Sequence, residues 1–288
     1  MPFANMSKVL ELFGKSTQRP QSNWKQIVGA QQCIYTKRQC YKVRKSDPST
    51  SIGTCTVAYG NEGKPVVICP TRLTEKGQIF ADCLHLLTTH EPGNELHIVS
   101  EVSIPGGSVD YFLVSARSGK VRDFVGVEIQ TLDTTGTVWP ERQRFLRDAG
   151  IPRGDNAENS SKPFGMNWKM TAKTILLQMH HKARTFEHIN KKLALVIQNR
   201  LLSYMTGEFK FDHLRSPTSI GHSVHFHPYE LSIGATGNFQ LGLQTRLSTD
   251  ADGIAICLGM QAEPRVELAH IVASLEAKIS NATRFRPV

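Results

Sequence analysis

Acidic and amide side chains on alternating segments are the first chemistry visible in the chain. In the β-forming run Val121 to Thr131, period-two alternation sends Val125, Val127 and Ile129 to one side, and Glu128 and Gln130 to the other. Asp110 opens the preceding β-rich run, Val109 to Ala116, directly after Pro105-Gly106-Gly107-Ser108. The Ser118-Gly119-Lys120 turn folds the two runs into a hairpin, so residues near Asp110 return to those near Glu128. Glu101, on a strand expected from Leu96 to Ile104, adds a third carboxylate. Three acids and an amide on adjacent strands suit hard-cation phosphate chemistry. Mg²⁺ takes near-octahedral oxygen ligation from one or two carboxylates, waters and a substrate phosphate. The same spacing also fits a carboxylate on a solvated strand face.

Soft ligands are gathered upstream. Cys33, Cys40, Cys55 and Cys69 crowd one short segment, while Cys83 and Cys257 read as isolated buried thiols. Four thiolates in a tetrahedron are the coordination of Zn²⁺ or of a single iron. No CxxC pair is present, so the spacing is not that of a usual zinc finger, and four unrelated buried thiols fit it too. The basic residues Lys37, Arg38, Lys42, Arg44 and Lys45 surround Cys40 without an acid among them. Such a run is either a solvated face or a phosphate-contacting loop. His222, His225 and His227 read as a polar strand face turned toward DNA rather than a metal tract.

The elements that must hold these groups follow from periodicity. Apolar positions predict a short opening helix over Val9, Leu10, Leu12 and Phe13, and another from Gln78 to Leu87. From Asn167, Trp168, Ala172, Ile175, Leu176, Met179, Ala183 and Phe186 make one buried helical stripe; Lys169, Lys173, His180, Lys182 and Arg184 occupy the opposite face. Leu193 to Ile197 reads as a buried strand. Helix, three strands, helix, strand is the order of an α/β sheet with helices packed on it. Gly150 to Lys162 reads as a polar loop, and the tail as short strands closed by a helix from Val266 to Ile279. The expected partition is residues 1–76, carrying the cysteines; 77–207, carrying the acids; and 208–288, a β-rich region for dimerisation or DNA contact.

Gly107-Ser108-Val109-Asp110-Tyr111-Phe112-Leu113-Val114, followed by Gly126-Val127-Glu128-Ile129-Gln130-Thr131, resembles the active site of PD-(D/E)xK nucleases. It is most similar to that of NotI-type restriction endonucleases, which carry Gln where most of the superfamily carries Lys. The resemblance takes in the cysteine cluster and the helix and strand from Asn167 to Ile197, roughly residues 30 to 205. It implies an α/β fold with a PD-(D/E)xK core, a mixed sheet flanked by helices, beside an N-terminal four-cysteine module. Asp110 and Glu128 would bind Mg²⁺ with the Ile129 carbonyl. Gln130 would orient the attacking water, and Glu101 would be the additional acid. Cys33, Cys40, Cys55 and Cys69 would hold a structural iron (or zinc). Lys37, Arg38, Lys42, Arg44, Lys45, Lys169 and Lys173 are the expected DNA contacts. The implied activity is Mg²⁺-dependent, sequence-specific cleavage of double-stranded DNA leaving 5′-phosphates, by a homodimer that works beside a cognate DNA methyltransferase. Two departures stand out: Val109 replaces the motif's Pro, and Gln130 supplies no positive charge.

Composition sets the outer bounds. The 288 residues, 40% of them apolar, suffice for a sizeable core and exclude whole-chain disorder. No apolar run is long enough for a membrane helix, and Glu11 interrupts the first one, so neither a membrane span nor an export signal is expected. A prokaryotic cytoplasmic location is the corresponding expectation. The net charge of +9 favours a polyanionic partner. Two other functions share these features: a non-cleaving DNA-binding protein on a decayed nuclease core, and a defence nuclease acting on modified DNA or RNA.

Overall fold

The structure, a computed structural model, describes residues 7–18, 23–151, 160, 162–235, 237–260, 271–273 and 276–277. In chain order, the N-terminal part contains β1 (Val9–Leu12), β2 (Lys15–Ser16), α1 (Trp24–Ala30), β3 (Val43–Arg44), β4 (Asp47–Ser51), β5 (Thr54–Tyr59), β6 (Lys64–Val67), α2 (Pro70–Leu73) and α3 (Gln78–Ala81). The centre contains β7 (Glu95–Ile104), β8 (Gly107–Arg117), β9 (Lys120–Gln130), β10 (Thr134–Thr135), α4 (Trp139–Asp148), β11 (Gly165–Met166), α5 (Trp168–His188), β12 (Lys192–Gln198) and α6 (Asn199–Glu208). β13 (Val224–Ile233), β14 (Phe239–Leu243), β15 (Leu247–Thr249) and α7 (Ala251–Cys257) follow.

A mixed seven-stranded sheet organises the molecule in the order β14-β13-β12-β9-β8-β7, with β15 also paired to β13. β7, β8 and β9 form an antiparallel meander, whereas β12 runs parallel to both β9 and β13. A parallel neighbour requires a crossover, and α5 provides the one from β9 to β12. β12 is buried at every position, as a strand covered on both faces must be. On one face, Ile175, Met179, Ala183 and Phe186 of α5 pack on Phe112, Leu193, Leu195 and Ile197. On the other, Val125, Val127, Ala194 and Val196 pack on Leu73, Ile79, Phe80 and Tyr229. A second sheet, β2-β1-β5-β6, lies alongside and contributes Val57 and Val66 to the first core, joined by Ile68 just after β6, and Leu10 and Val67 to the second.

The hairpin, the long helix and the buried strand lie where periodicity puts them, but three expectations change. The opening residues form the strand β1 rather than a helix, because Val9, Leu10, Glu11 and Leu12 are all buried and none can face water. A short apolar run buried on every side carries no usable period. Glu11 tolerates that position because Arg72 Nε lies 2.8 Å from its Oε2 and Thr56 donates to the same carboxylate. The second expected helix is only the single turn of α3 followed by a 3₁₀ turn at Leu84–Leu86. Third, α5 buries His180 and Lys182, which helical spacing assigns to its polar face. The polar loop from Gly150 to Lys162 and the closing helix from Val266 fall largely outside the described residues.

Gly126 sets the distance between α5 and the sheet. A Cβ at this position would run into the Phe186 ring and come within 2.8 Å of Leu193 Cδ1. Gly126→Ala is therefore expected to lower stability by about 1–3 kcal/mol through overpacking. Urea denaturation checks this; an unchanged midpoint would show that α5 is not seated by this glycine.

Candidate active site

The hairpin register places the acids. Tyr111 pairs with Val127, so Asp110 and Glu128 occupy the next opposed positions on β8 and β9. Glu101 falls between the pairs Ser100–Tyr111 and Val102–Val109, which puts it opposite Asp110 on β7. Its φ of 56° lies in the left-handed region, uncommon for a non-glycine residue and often retained near functional sites. Asp110 Oδ2 accepts the backbone N–H of Ile129 at 2.8 Å, tying the two strands together at the carboxylates. Asp110 is half-buried and Glu128 buried, whereas Glu101 is exposed. Gln130 is half-buried, and its Nε2 donates to the Thr131 carbonyl at 2.6 Å rather than toward an acid.

One further group reaches this centre. Lys182 Nζ, from α5, lies 2.7 Å from Glu128 Oε1, with the two side chains only 6% and 4% exposed. Burial holds the Glu128 carboxyl above the usual range; the Lys182 ammonium opposes that, and the negative Asp110 adds to it. Two facing carboxylates, one of them reluctant to ionise, make a hard-oxygen donor pair whose repulsion a divalent cation relieves. Among the described residues no three His, Cys, Asp or Glu side chains form a metal cage. A Mg²⁺ site needs only one or two carboxylates, so these residues fit that ion.

Cys33, Cys40, Cys55 and Cys69 are all free and buried. Cys55 lies on β5, Cys69 just before α2, and Cys33 and Cys40 in the segment after α1. The Cys55 thiol and then the Lys42 ammonium hold Cys69 down at about 6 against burial. Burial pushes Cys40 up, with Cys69 and Cys33 adding to it. The four sulfurs thus share one neighbourhood, and their donor chemistry fits a soft or borderline metal; they are not disposed as a finished ligand cage.

The basic candidates divide. Lys37, Arg38, Lys45, Lys169 and Lys173 are exposed. Lys42 turns inward to the Ile68 carbonyl at 2.6 Å, and Arg44 stacks 4.6 Å from the Trp139 ring centre. Trp139 itself is buried, with Arg142 on its ring as well. The histidine tract is not a DNA-facing surface: His225 and His227 are buried on β13, near His85 and Cys83.

A family model described as restriction endonuclease NotI matches residues 30–227, more than two thirds of the chain. The chain belongs to the NotI restriction endonuclease family. Membership implies a sequence-specific endonuclease acting on double-stranded DNA. No curated protein matches the sequence. The matched span holds Cys33 through Cys69, the acidic hairpin, Lys182 and the start of β13. No helix among the described residues is long and apolar enough to cross a membrane.

The buried histidines give this NotI-family chain an acid sensitivity. Burial holds His225 down at about 4 and His227 at about 3, from an ordinary 6.5. An unfolded histidine takes up a proton below about pH 6.5 that the buried rings refuse, so acid favours the unfolded chain. Between pH 7.5 and 5.5 stability should fall by about 2–3 kcal/mol from these two residues. His227→Phe should lose roughly half as much, as measured by urea denaturation at both pH values. A variant as acid-sensitive as the parent would refute this origin.

Proposed function

We propose that the chain is a type II restriction endonuclease with a PD-(D/E)xK core, cutting double-stranded DNA with Mg²⁺ and leaving 5′-phosphates. The observation that carries this reading is the Asp110–Glu128 pair, opposed across the hairpin and fastened by the Ile129 N–H, inside the family-matched span. Asp110, Glu128 and the Ile129 carbonyl would hold the ion, which would lower the pKa of a water and offset charge on the phosphate. The chain's own part is orientation. The Ile129 N–H fixes one Asp110 oxygen, the sheet holds Glu128 opposite it, and Glu101 extends the acidic row toward solvent. Gln130 stands at the end of β9, where rotation of its amide away from Thr131 would present it to water. Breaking the P–O3′ bond with water as nucleophile leaves the 5′-phosphate ends.

The remaining assignments extend this reading. Residues 1–76 form a module whose Cys33, Cys40, Cys55 and Cys69 take one structural iron or zinc, 77–207 carry the nuclease site, and 208–288, whose strands β13 to β15 complete the central sheet, offer their exposed surface for dimerisation or DNA contact. A closed four-sulfur shell leaves no position for substrate, so that metal shapes the basic loop beside it. Lys37, Arg38, Lys45, Lys169 and Lys173 offer exposed charge for phosphates; Lys42 and Arg44 brace the loop and would need to turn outward to join them. One active site per chain implies a two-fold homodimer for cutting both strands. Such an enzyme requires a methyltransferase that protects host DNA in the same prokaryotic cytoplasm.

Digestion of unmethylated genomic DNA with Mg²⁺ should give discrete fragments, and sequencing their ends gives the site and the cut position. Asp110→Ala and Glu128→Ala should each abolish cutting while leaving the circular dichroism spectrum unchanged. Binding without cutting by the parent would instead favour the non-cleaving reading, and cutting only of modified DNA or RNA the defence-nuclease reading. Metal analysis of purified protein should find about one equivalent of iron or zinc, and less in Cys55→Ser. Protein free of both would remove the four-cysteine site.

A further inference from the structure

Lys182 is a buried ammonium that comes from α5, outside the strands that carry the acids. The clearest sign of its purpose is how closely its surroundings are built. The β7–β8 turn, Pro105-Gly106-Gly107, presses directly on α5. Gly106 (φ 96°) and Gly107 (φ 130°) both adopt conformations that side-chain-bearing residues rarely take. A Cβ at 106 would lie 2.8 Å from the His181 carbonyl oxygen, and one at 107 only 3.3 Å from Lys182 Cε. Thr185, one turn further along α5, donates to the Pro105 carbonyl at 2.7 Å and fixes the contact. Lys182 is thus laid along Gly107 and aimed at Glu128, and its charge sits at the acidic pair. A solvated helix face would need no such clamp. A buried, unpaired charge would be costly, whereas this one stays paired beside the site of chemistry.

We propose that Lys182 is a catalytic residue. Delivered from α5 rather than from β9, it supplies the positive charge that Gln130 lacks, and contacts the scissile phosphate when DNA is bound. The inference rests on the nuclease reading above. In the free protein Glu128 is its partner; with the carboxylate engaged, the ammonium is placed to balance charge developing on the phosphate, the role that fixed donors serve in transition-state stabilisation.

The test uses the full chain and the cut site mapped on the parent enzyme. Lys182→Met, checked for folding by circular dichroism, should slow single-turnover cleavage by about tenfold or more. Lys182→Gln replaces it if the methionine variant does not fold. Restoring a lysine on the strand, in Lys182→Met with Gln130→Lys, should recover at least part of the lost rate. A binding cycle gives the second readout, with Ca²⁺ in place of Mg²⁺. A neutral methylphosphonate at the scissile position should weaken parent binding by roughly fivefold or more and leave the Lys182 variant's affinity nearly unchanged. A smaller loss of rate, no recovery with lysine at 130, or equal weakening in both proteins overturns the proposal. A parent enzyme that does not cut DNA overturns the nuclease reading instead.

Discussion

The seating of α5 on β9 is the contact on which the rest of the structure depends. Gly126 removes the side chain that would hold the helix away, so the far end of the Phe186 ring can reach the strand. Two residues further along β9 on the same face stands Glu128, and one turn back along α5 stands Lys182. The two spacings agree: two strand residues advance by about 6.6–6.8 Å and four helical residues by about 6 Å. A helix that closes the hydrophobic core thereby also delivers a charge to an acid. Packing and site geometry are one constraint, and the parallel pairing of β9 with β12 fixes the crossover that imposes it.

The cysteine-bearing region is joined to this core by buried polar links as well as by apolar contact. Arg72 is fully buried; it pairs with Glu11 on β1, reaches Glu75 at 2.7 Å, and donates to the Phe239 carbonyl on β14. One guanidinium therefore ties the N-terminal sheet to the far edge of the central sheet. On the opposite flank Arg142 of α4 donates to the Ile52 carbonyl at 2.7 Å, and Trp139 lies against both Arg142 and Arg44. The segment around the four thiols is braced by these contacts, and its Lys42, Arg44 and Arg72 bind protein groups.

Residue pattern conveys the site better than it conveys the fold around it. Asp110 and Glu128 were legible because a hairpin is a local structure whose register follows from its turn. Helical periodicity gave the apolar stripe of α5, but it places Lys182 on a polar face that the structure buries under the β7–β8 turn. Its partner, Glu128, is remote in sequence, and nothing local to the helix announces it. Gly106 and Gly107 carried the usable signal: paired glycines at a strand entry mark a close approach by another backbone. The strand β1 is illegible for the opposite reason, since the carboxylate at its centre is offset by Arg72 and Thr56, which join it through the fold. The histidines of β13 show the same limit, because a polar tract reads as exposed until the chain that covers it is known.

The parallel crossover also orders the site in time. The acids belong to a meander of neighbouring strands, contacts that close early because their loops are short. Docking of α5 and placement of β12 between β9 and β13, which bring Lys182 to the acids, are non-local contacts and by contact order should follow the hairpin. A chain folded only as far as the hairpin would hold two facing carboxylates with no cation beside them. Electrostatic self-repulsion would loosen that half-built site, so its closure and the completion of the central sheet are one cooperative step.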